Sequence, residues 1–76
     1  MATVDAPTKK FLKKLGLRLR SLRNQRNLTL EDTEELGIKS WKHLQKIESG
    51  RNVTVVTLLQ LAKIYKVHPS ELLKGL

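Results

Sequence analysis

Helix start and stop signals divide this sequence into short segments. Five segments begin with a side chain that favours the N-cap or with a proline that suits a first helical turn, at Thr8, Thr29, Ser40, Thr54 and His68-Pro69. Gly37 and Gly50 stand where the second and third segments end. No Asn-Gly hairpin signal and no long alternating run predicts a strand. The pattern therefore predicts an all-α, compact domain of five helices.

The apolar spacing agrees with these boundaries. In the first segment Leu12, Leu15, Leu19 and Leu22 recur every three or four residues, so they share one helix face. Gly16 costs that helix about 1 kcal/mol relative to alanine, which predicts close packing where no side chain fits. The next two helices are predicted at about 30–36 and 41–49. In the fourth helix the predicted core residues are Val55, Leu58, Leu59, Ala62 and Tyr65.

The length of 76 residues suits one domain with a modest core. Residues 8–76 are predicted to form it, and residues 1–7, which have no apolar periodicity, are predicted to be a flexible N-terminal tail. No apolar run approaches the ~20 residues of a membrane span, and the first residues do not resemble a secretory signal. We therefore expect a cytoplasmic protein with no membrane partner.

The residues that carry most catalytic and metal chemistry are scarce. Cysteine is absent, and the two histidines, His43 and His68, lie far apart without metal-ligand spacing. No nucleophile–base pair, carboxylate dyad or phosphate-binding glycine loop is recognisable. We expect no metal, no cofactor and no enzymatic activity.

Positive charge dominates the composition. Fifteen Lys and Arg against seven Asp and Glu give a net charge of +8, which favours a polyanionic partner such as nucleic acid or an acidic membrane surface. The first predicted helix is basic, but its apolar face is needed for the core, so a membrane surface is the weaker alternative.

The second and third predicted helices match the helix-turn-helix plan, in which two short helices are joined by a tight turn containing glycine. The turn is Gly37-Ile38-Lys39, and Ile38 is predicted to be buried. In the third helix Leu44 and Ile47 form an apolar face, and the remaining surface is polar apart from the single tryptophan. Such a pair braces its second helix so that it can enter a major groove about 12 Å wide.

Four short motifs occur in order along the chain: LRSLR in the first helix, IESG at the end of the third, TLLQLA in the fourth and VHPSEL at the start of the fifth. Each is weak alone, but the combination and its spacing are specific. From Leu15 to Leu73 the sequence resembles the Xre family, the Cro and lambda-repressor-like DNA-binding domains. The resemblance implies a bacterial or phage-encoded, nucleoid-associated protein whose third helix lies in the major groove.

The resemblance also implies roles for individual residues. The positions that contact base edges are occupied by Trp41, Lys42, Gln45 and Lys46. The positions that contact phosphates are occupied by Ser40, His43, Arg51 and Asn52. Arg23 and Glu48 match a structural ion pair between the first and third helices.

The second predicted helix departs from the family pattern. Leu30 stands where the family usually has a phosphate-binding glutamine, and the small residue packed between the two helices falls on either Thr33 or Glu34. Four acids lie on this helix, and we expect them to point away from DNA or to contact a partner protein: Glu31, Asp32, Glu34 and Glu35.

The predicted function is that of a sequence-specific regulator of transcription, of the repressor or controller type, which binds double-stranded DNA. A homodimer is expected because one small module contacts few base pairs, and the apolar edge Leu72, Leu73 and Leu76 is its predicted contact. The alternative is an antitoxin-like module on the same fold, which neutralises a partner protein and binds DNA secondarily.

Overall fold

A computed structural model of the protein describes residues 4–76. Over this range the chain contains no strand. It forms α1 (Ala6–Gln25), α2 (Leu30–Glu35), α3 (Trp41–Glu48), α4 (Val55–Tyr65) and a C-terminal 3₁₀ helix (Pro69–Leu72). The predicted all-α class is confirmed.

The first helix begins earlier than predicted. Asp5, not Thr8, is the N-cap: its Oδ1 accepts a hydrogen bond from the Thr8 backbone N–H at 2.9 Å. Pro7 lies inside the first turn, where its fixed φ and missing N–H cost nothing. The predicted tail of residues 1–7 therefore overlaps the helix by two residues, and residues 1–3 lie outside the described range.

The caps of the next three helices are those that the sequence predicts. Thr29 and Asp32 form a reciprocal capping box, with Asp32 N–H donating to Thr29 Oγ1 at 3.0 Å and Thr29 N–H donating to Asp32 Oδ2 at 2.8 Å. The bond from the Thr29 backbone lowers the pKa of the Asp32 carboxyl. Ser40 and Thr54 cap α3 and α4 in the usual way, each accepting from the backbone N–H three residues later.

All five elements and the α2–α3 turn surround one small core. Its buried apolar members are Leu15, Leu19, Ile38, Leu44, Ile47, Leu61, Ala62, Tyr65 and Leu72. Two predicted core residues of α4, Val55 and Leu59, are instead exposed, whereas Leu61 is buried. Leu59 and Leu61 point about 200° apart on a helix, and the packing of α4 selects the side of Leu61.

The C-terminal segment was predicted as a fifth helix but forms only a single 3₁₀ turn. Arg18 of α1 donates from Nη1 to the Glu71 carbonyl at 2.7 Å and from Nη2 to the Lys74 carbonyl at 2.8 Å. These bonds tie the segment to α1 and use the Glu71 carbonyl, which an α-helix would give to an N–H four residues later. Leu72 is buried beneath it and is only 1% exposed.

One buried polar group in the core has no partner. The hydroxyl of Tyr65 makes no hydrogen bond within residues 4–76, and burial raises the pKa of Tyr65 far above its usual value.

We expect Tyr65→Phe to leave the free energy of unfolding unchanged or to raise it by up to about 1 kcal/mol, because it removes an unsatisfied hydroxyl and keeps the ring. Urea denaturation measures the change. Tyr65→Ala, which removes the ring as well, should cost about 3–5 kcal/mol. A loss above about 1 kcal/mol in Tyr65→Phe would show that the hydroxyl is hydrogen-bonded in solution.

Candidate nucleic-acid interface

The α2–α3 pair is held together by two buried residues. Thr33 is completely buried, and its hydroxyl donates to the Leu30 carbonyl at 2.5 Å. Ile38 is buried in the turn, and its N–H donates to the Thr33 carbonyl at 3.0 Å. Glu34 is exposed. The small residue between the helices is therefore Thr33, which fixes the register that the sequence left open.

The surface of α3 divides into two faces. Leu44, Ile47 and Glu48 are buried against the rest of the domain. Among the predicted base-contacting residues, Lys42, Gln45 and Lys46 are exposed, and Trp41 is half-buried. The Lys42 ammonium lies 5.8 Å from the centre of the Trp41 ring, within cation–π range. The fold thus presents all four candidate residues on one short helix, and three of them are exposed.

The predicted phosphate-contacting residues lie at the two ends of α3. At its start Ser40 is half-buried and His43 is exposed, and the Ser40 hydroxyl accepts from the His43 backbone N–H at 3.4 Å. At its end Arg51 and Asn52 are exposed in the loop to α4. The Asn52 Oδ1 accepts a hydrogen bond from the Val53 backbone N–H at 2.9 Å.

A carboxylate occupies the N-terminus of α3. Glu34 Oε2 accepts a hydrogen bond from the Trp41 backbone N–H at 2.8 Å. A negative charge there stabilises the helix through its dipole and satisfies a free N–H group. It also opposes an approaching phosphate. Among the acids of α2, which are expected to point away from DNA or to contact a partner protein, Glu34 thus lies beside the start of α3.

Arg20 was not among the residues that the sequence singled out. It is exposed, and it lines a groove of about 410 Å³ between α1 and α3 together with Gln45 and Lys46. A sequence signal existed, because Arg20 precedes Arg23 by three residues and so shares its helix face. Since Arg23 is predicted to contact α3, the same helix face predicts that Arg20 also lies near α3.

Arg23 and Glu48 form the predicted ion pair between α1 and α3. Arg23 Nε lies 2.8 Å from Glu48 Oε2, and Nη2 lies 3.0 Å from Oε1, which is a bidentate arrangement. Arg23 Nη1 also donates to the Leu28 carbonyl at 2.8 Å. The hydrogen bonds to Glu48 raise the pKa of the Arg23 guanidinium, and both side chains are largely buried. The pair fixes the C-terminal end of α3 against α1.

Two further features of residues 4–76 bear on other functions. No group of three or more His, Cys, Asp or Glu side chains is placed to hold a metal ion in this part of the chain. None of the helices described here has the length and apolar character needed to cross a membrane.

Comparison with known proteins identifies the class. A family model described as a helix-turn-helix domain matches residues 16–76, and the chain belongs to this family. A similar solved structure is the crystal structure of the DNA-binding domain of BldD, with a TM-score of 0.77 and 38% sequence identity. The match covers 86% of this chain and 96% of that one. No curated protein matches this chain significantly. The predicted family resemblance and the predicted fold are thereby confirmed.

Proposed function

We propose that this protein is a sequence-specific regulator of transcription that binds double-stranded DNA through α3. The observation that carries the proposal is the exposed face of Lys42, Gln45 and Lys46 on a helix braced by α2, in a chain with a net charge of +8. Its similarity to a domain described as DNA-binding supports the same conclusion. In this proposal the protein has no enzymatic activity, and occupation of a promoter is its means of repression or control.

Base recognition follows from the chemistry of the exposed face. The Gln45 carboxamide can both accept and donate, which suits adenine N6 and N7, whereas Lys42 and Lys46 suit the O6 and N7 acceptors of guanine. Trp41, partly buried at the start of the helix, packs against a thymine methyl or the sugar–phosphate wall.

Phosphate contacts position α3 in the groove. Arg51 and Asn52 supply them at the C-terminal end, and Ser40 and His43 supply them beside the N-terminus. Because the Glu34 carboxylate already binds the Trp41 N–H, we assign the stronger contacts to Arg51 and to Arg20. In this arrangement, positively charged side chains on both sides of α3 contact the DNA phosphates.

A homodimer completes the proposal, since two copies place their α3 helices about 34 Å apart on inverted half-sites. The predicted leucine contact needs correction. Leu72 is buried in the core and Leu76 packs against it, so Leu73 alone remains exposed. Side chains that can form an apolar contact are exposed on α4 instead, namely Val55, Val56 and Leu59.

The test begins with selection of a binding site from random duplex DNA and titration of that site at several salt concentrations. If about five phosphates are neutralised per monomer, the log–log slope of affinity against salt should be about −4 to −5 per monomer. A slope near zero would exclude DNA as the partner.

Poor DNA affinity, combined with tight stoichiometric binding to a partner protein, would favour the antitoxin-like alternative. Mass of the complex by sedimentation distinguishes one bound copy from two.

Two variants separate base recognition from phosphate contact. Gln45→Ala should relax base preference at one or two positions, at a cost of about 1–3 kcal/mol on the selected site, and keep affinity for a scrambled duplex. Arg51→Ala should weaken both duplexes alike and reduce the salt slope by about one unit. Gln25→Ala and Lys10→Ala, on exposed positions of α1, are the matched controls. Equal, sequence-independent losses in Gln45→Ala and Arg51→Ala would show that α3 does not recognise bases.

A further inference from the structure

A second groove shares no lining residue with the groove between α1 and α3. Its volume is about 750 Å³, and it is formed by the ends of α1, α2 and α4. The residues that matter here are Arg26, Leu28, Leu36, Lys63, Ile64 and Lys66, and we call it the α4 groove. None of the residues that line it belongs to the base-contacting or phosphate-contacting sets. The proposed DNA contacts therefore do not account for it.

The floor of the α4 groove is apolar. Leu28 and Ile64 are half-buried, and Leu36, the C-cap of α2, is 56% exposed. The core of this small domain therefore covers Leu36 only in part. Covering such a residue removes apolar surface from water, which favours association.

The rim of the α4 groove is cationic. Arg26, Lys63 and Lys66 line it, and no acidic residue does. Arg26 donates from Nε to the Tyr65 carbonyl at 2.7 Å, which holds its guanidinium against the end of α4. Among residues 4–76 the ion pair found is Arg23–Glu48, so neither lysine is neutralised by a carboxylate of the described chain. Three positive charges therefore surround the apolar floor.

The backbone at Lys66 gives a second, independent observation. Lys66 ends α4 in the left-handed conformation, at φ 56° and ψ 45°, where glycine is the usual residue. A non-glycine residue in this region carries a backbone cost of about 1–2 kcal/mol. Lys66 therefore stands at a position where glycine would adopt the backbone conformation at lower cost, and its side chain lies on the rim of the groove.

We propose that the α4 groove binds an acidic amphipathic segment of a partner protein, with its apolar side chains on Leu36 and its carboxylates beside Lys63 and Lys66. Every residue that lines the groove is exposed or half-buried, whereas small-molecule sites bury most of their ligand. A peptide helix covers such an open surface. A nucleic-acid backbone would pair with the cations but leave the leucine in water. The inference goes beyond the proposed function and does not depend on it.

The test measures binding of a labelled peptide to the full chain by fluorescence anisotropy. The probe is a capped helical peptide of about 14 residues with leucine at every third or fourth position and glutamate elsewhere. One control peptide carries serine for leucine, and another carries lysine for glutamate. Binding of the probe alone is expected. Failure of the probe to bind, or equal binding of the serine peptide, would overturn the proposal, the latter because charge alone would then explain the affinity.

Variants of the chain locate the site. Lys63→Gln should weaken the probe by about 2–5-fold, as expected for a surface ion pair, and Leu36→Ser by about 5-fold. Lys66→Gly is the sharpest variant, because it should lower affinity by about 2–5-fold while keeping or raising the melting temperature. Lys10→Gln, with the same loss of charge on an exposed part of α1, is the control.

Three outcomes would contradict the assignment. The first is that the groove variants bind the probe as tightly as Lys10→Gln does, and the second is that Lys66→Gly loses affinity because it no longer folds. The third is that duplex DNA displaces the bound probe. The last would place the groove cations in the DNA interface. Because the peptide affinity is measured without DNA, it stays the same even if the protein is found not to bind DNA.

Discussion

Gly16→Ala is expected to destabilise the protein by about 2–3 kcal/mol, although alanine is the better helix former. A Cβ atom at position 16 would lie 2.5 Å from the Glu48 carbonyl oxygen and 2.7 Å from that of Ile47. Both are backbone atoms at the C-terminal end of α3, so no side chain can rotate away. The helices must separate, and the cost of overpacking outweighs the gain of about 1 kcal/mol in helix propensity. Urea denaturation of the two proteins measures the difference.

The control is the same pair of residues at an exposed position of the same helix. Ser21 is exposed on α1, so Ser21→Ala should be more stable than Ser21→Gly by about 1 kcal/mol. The glycine-to-alanine change is thus expected to have opposite signs at positions 16 and 21. Equal stabilisation at both would mean that α1 and α3 are not in close contact at Gly16.

Arg23→Ala is expected to cost about 3 kcal/mol, because it leaves the Glu48 carboxylate largely buried without its partner and frees the Leu28 carbonyl. A domain of this size is stable by about 4–11 kcal/mol in total, so the variant should lose a large share of it. Thermal and urea unfolding both report the loss.

Two companion variants test the cause. Arg20→Ala removes the same charge from an exposed position of α1 and should change stability by less than about 0.5 kcal/mol. Replacing Arg23 and Glu48 together by methionine and leucine should recover part of the loss, because no buried charge then lacks a partner. An Arg23→Ala protein with an unchanged unfolding curve would mean that the pair is open to water in solution.

These two contacts have a common consequence for the candidate interface. Gly16 and Arg23 both act on the C-terminal end of α3, where α1 approaches its backbone and pairs with Glu48. Glu34 binds the other end at Trp41. The helix that carries Lys42, Gln45 and Lys46 is therefore fixed at both ends, so the proposed binding of DNA would require less ordering of this helix.

Most of the local structure could be predicted from the sequence. The caps at Thr29, Ser40 and Thr54, the turn at Gly37 and the buried faces of α1 and α3 depend on residues within about four positions of one another. The same holds for the exposed face of α3, since helical spacing separates Gln45 from Leu44 and Ile47. The predicted N-cap of α1 was wrong for a local reason as well. Asp5 and Thr8 are both suitable N-cap residues, and Pro7 suits the first helical turn that follows Asp5.

The tertiary structure decided how faces of different elements meet, since those contacts join residues far apart in the chain. Thr33 rather than Glu34 is buried because Ile38 closes over it, and Glu34 is thereby free to reach Trp41. Leu72 is packed in the core and not on the predicted dimer surface, and Arg18 holds the C-terminal carbonyls against α1 in the same arrangement. The α4 groove likewise forms where the ends of three helices converge. Sequence periodicity states which face of a helix is apolar, but only packing decides which apolar side chains are covered and which remain exposed to a partner.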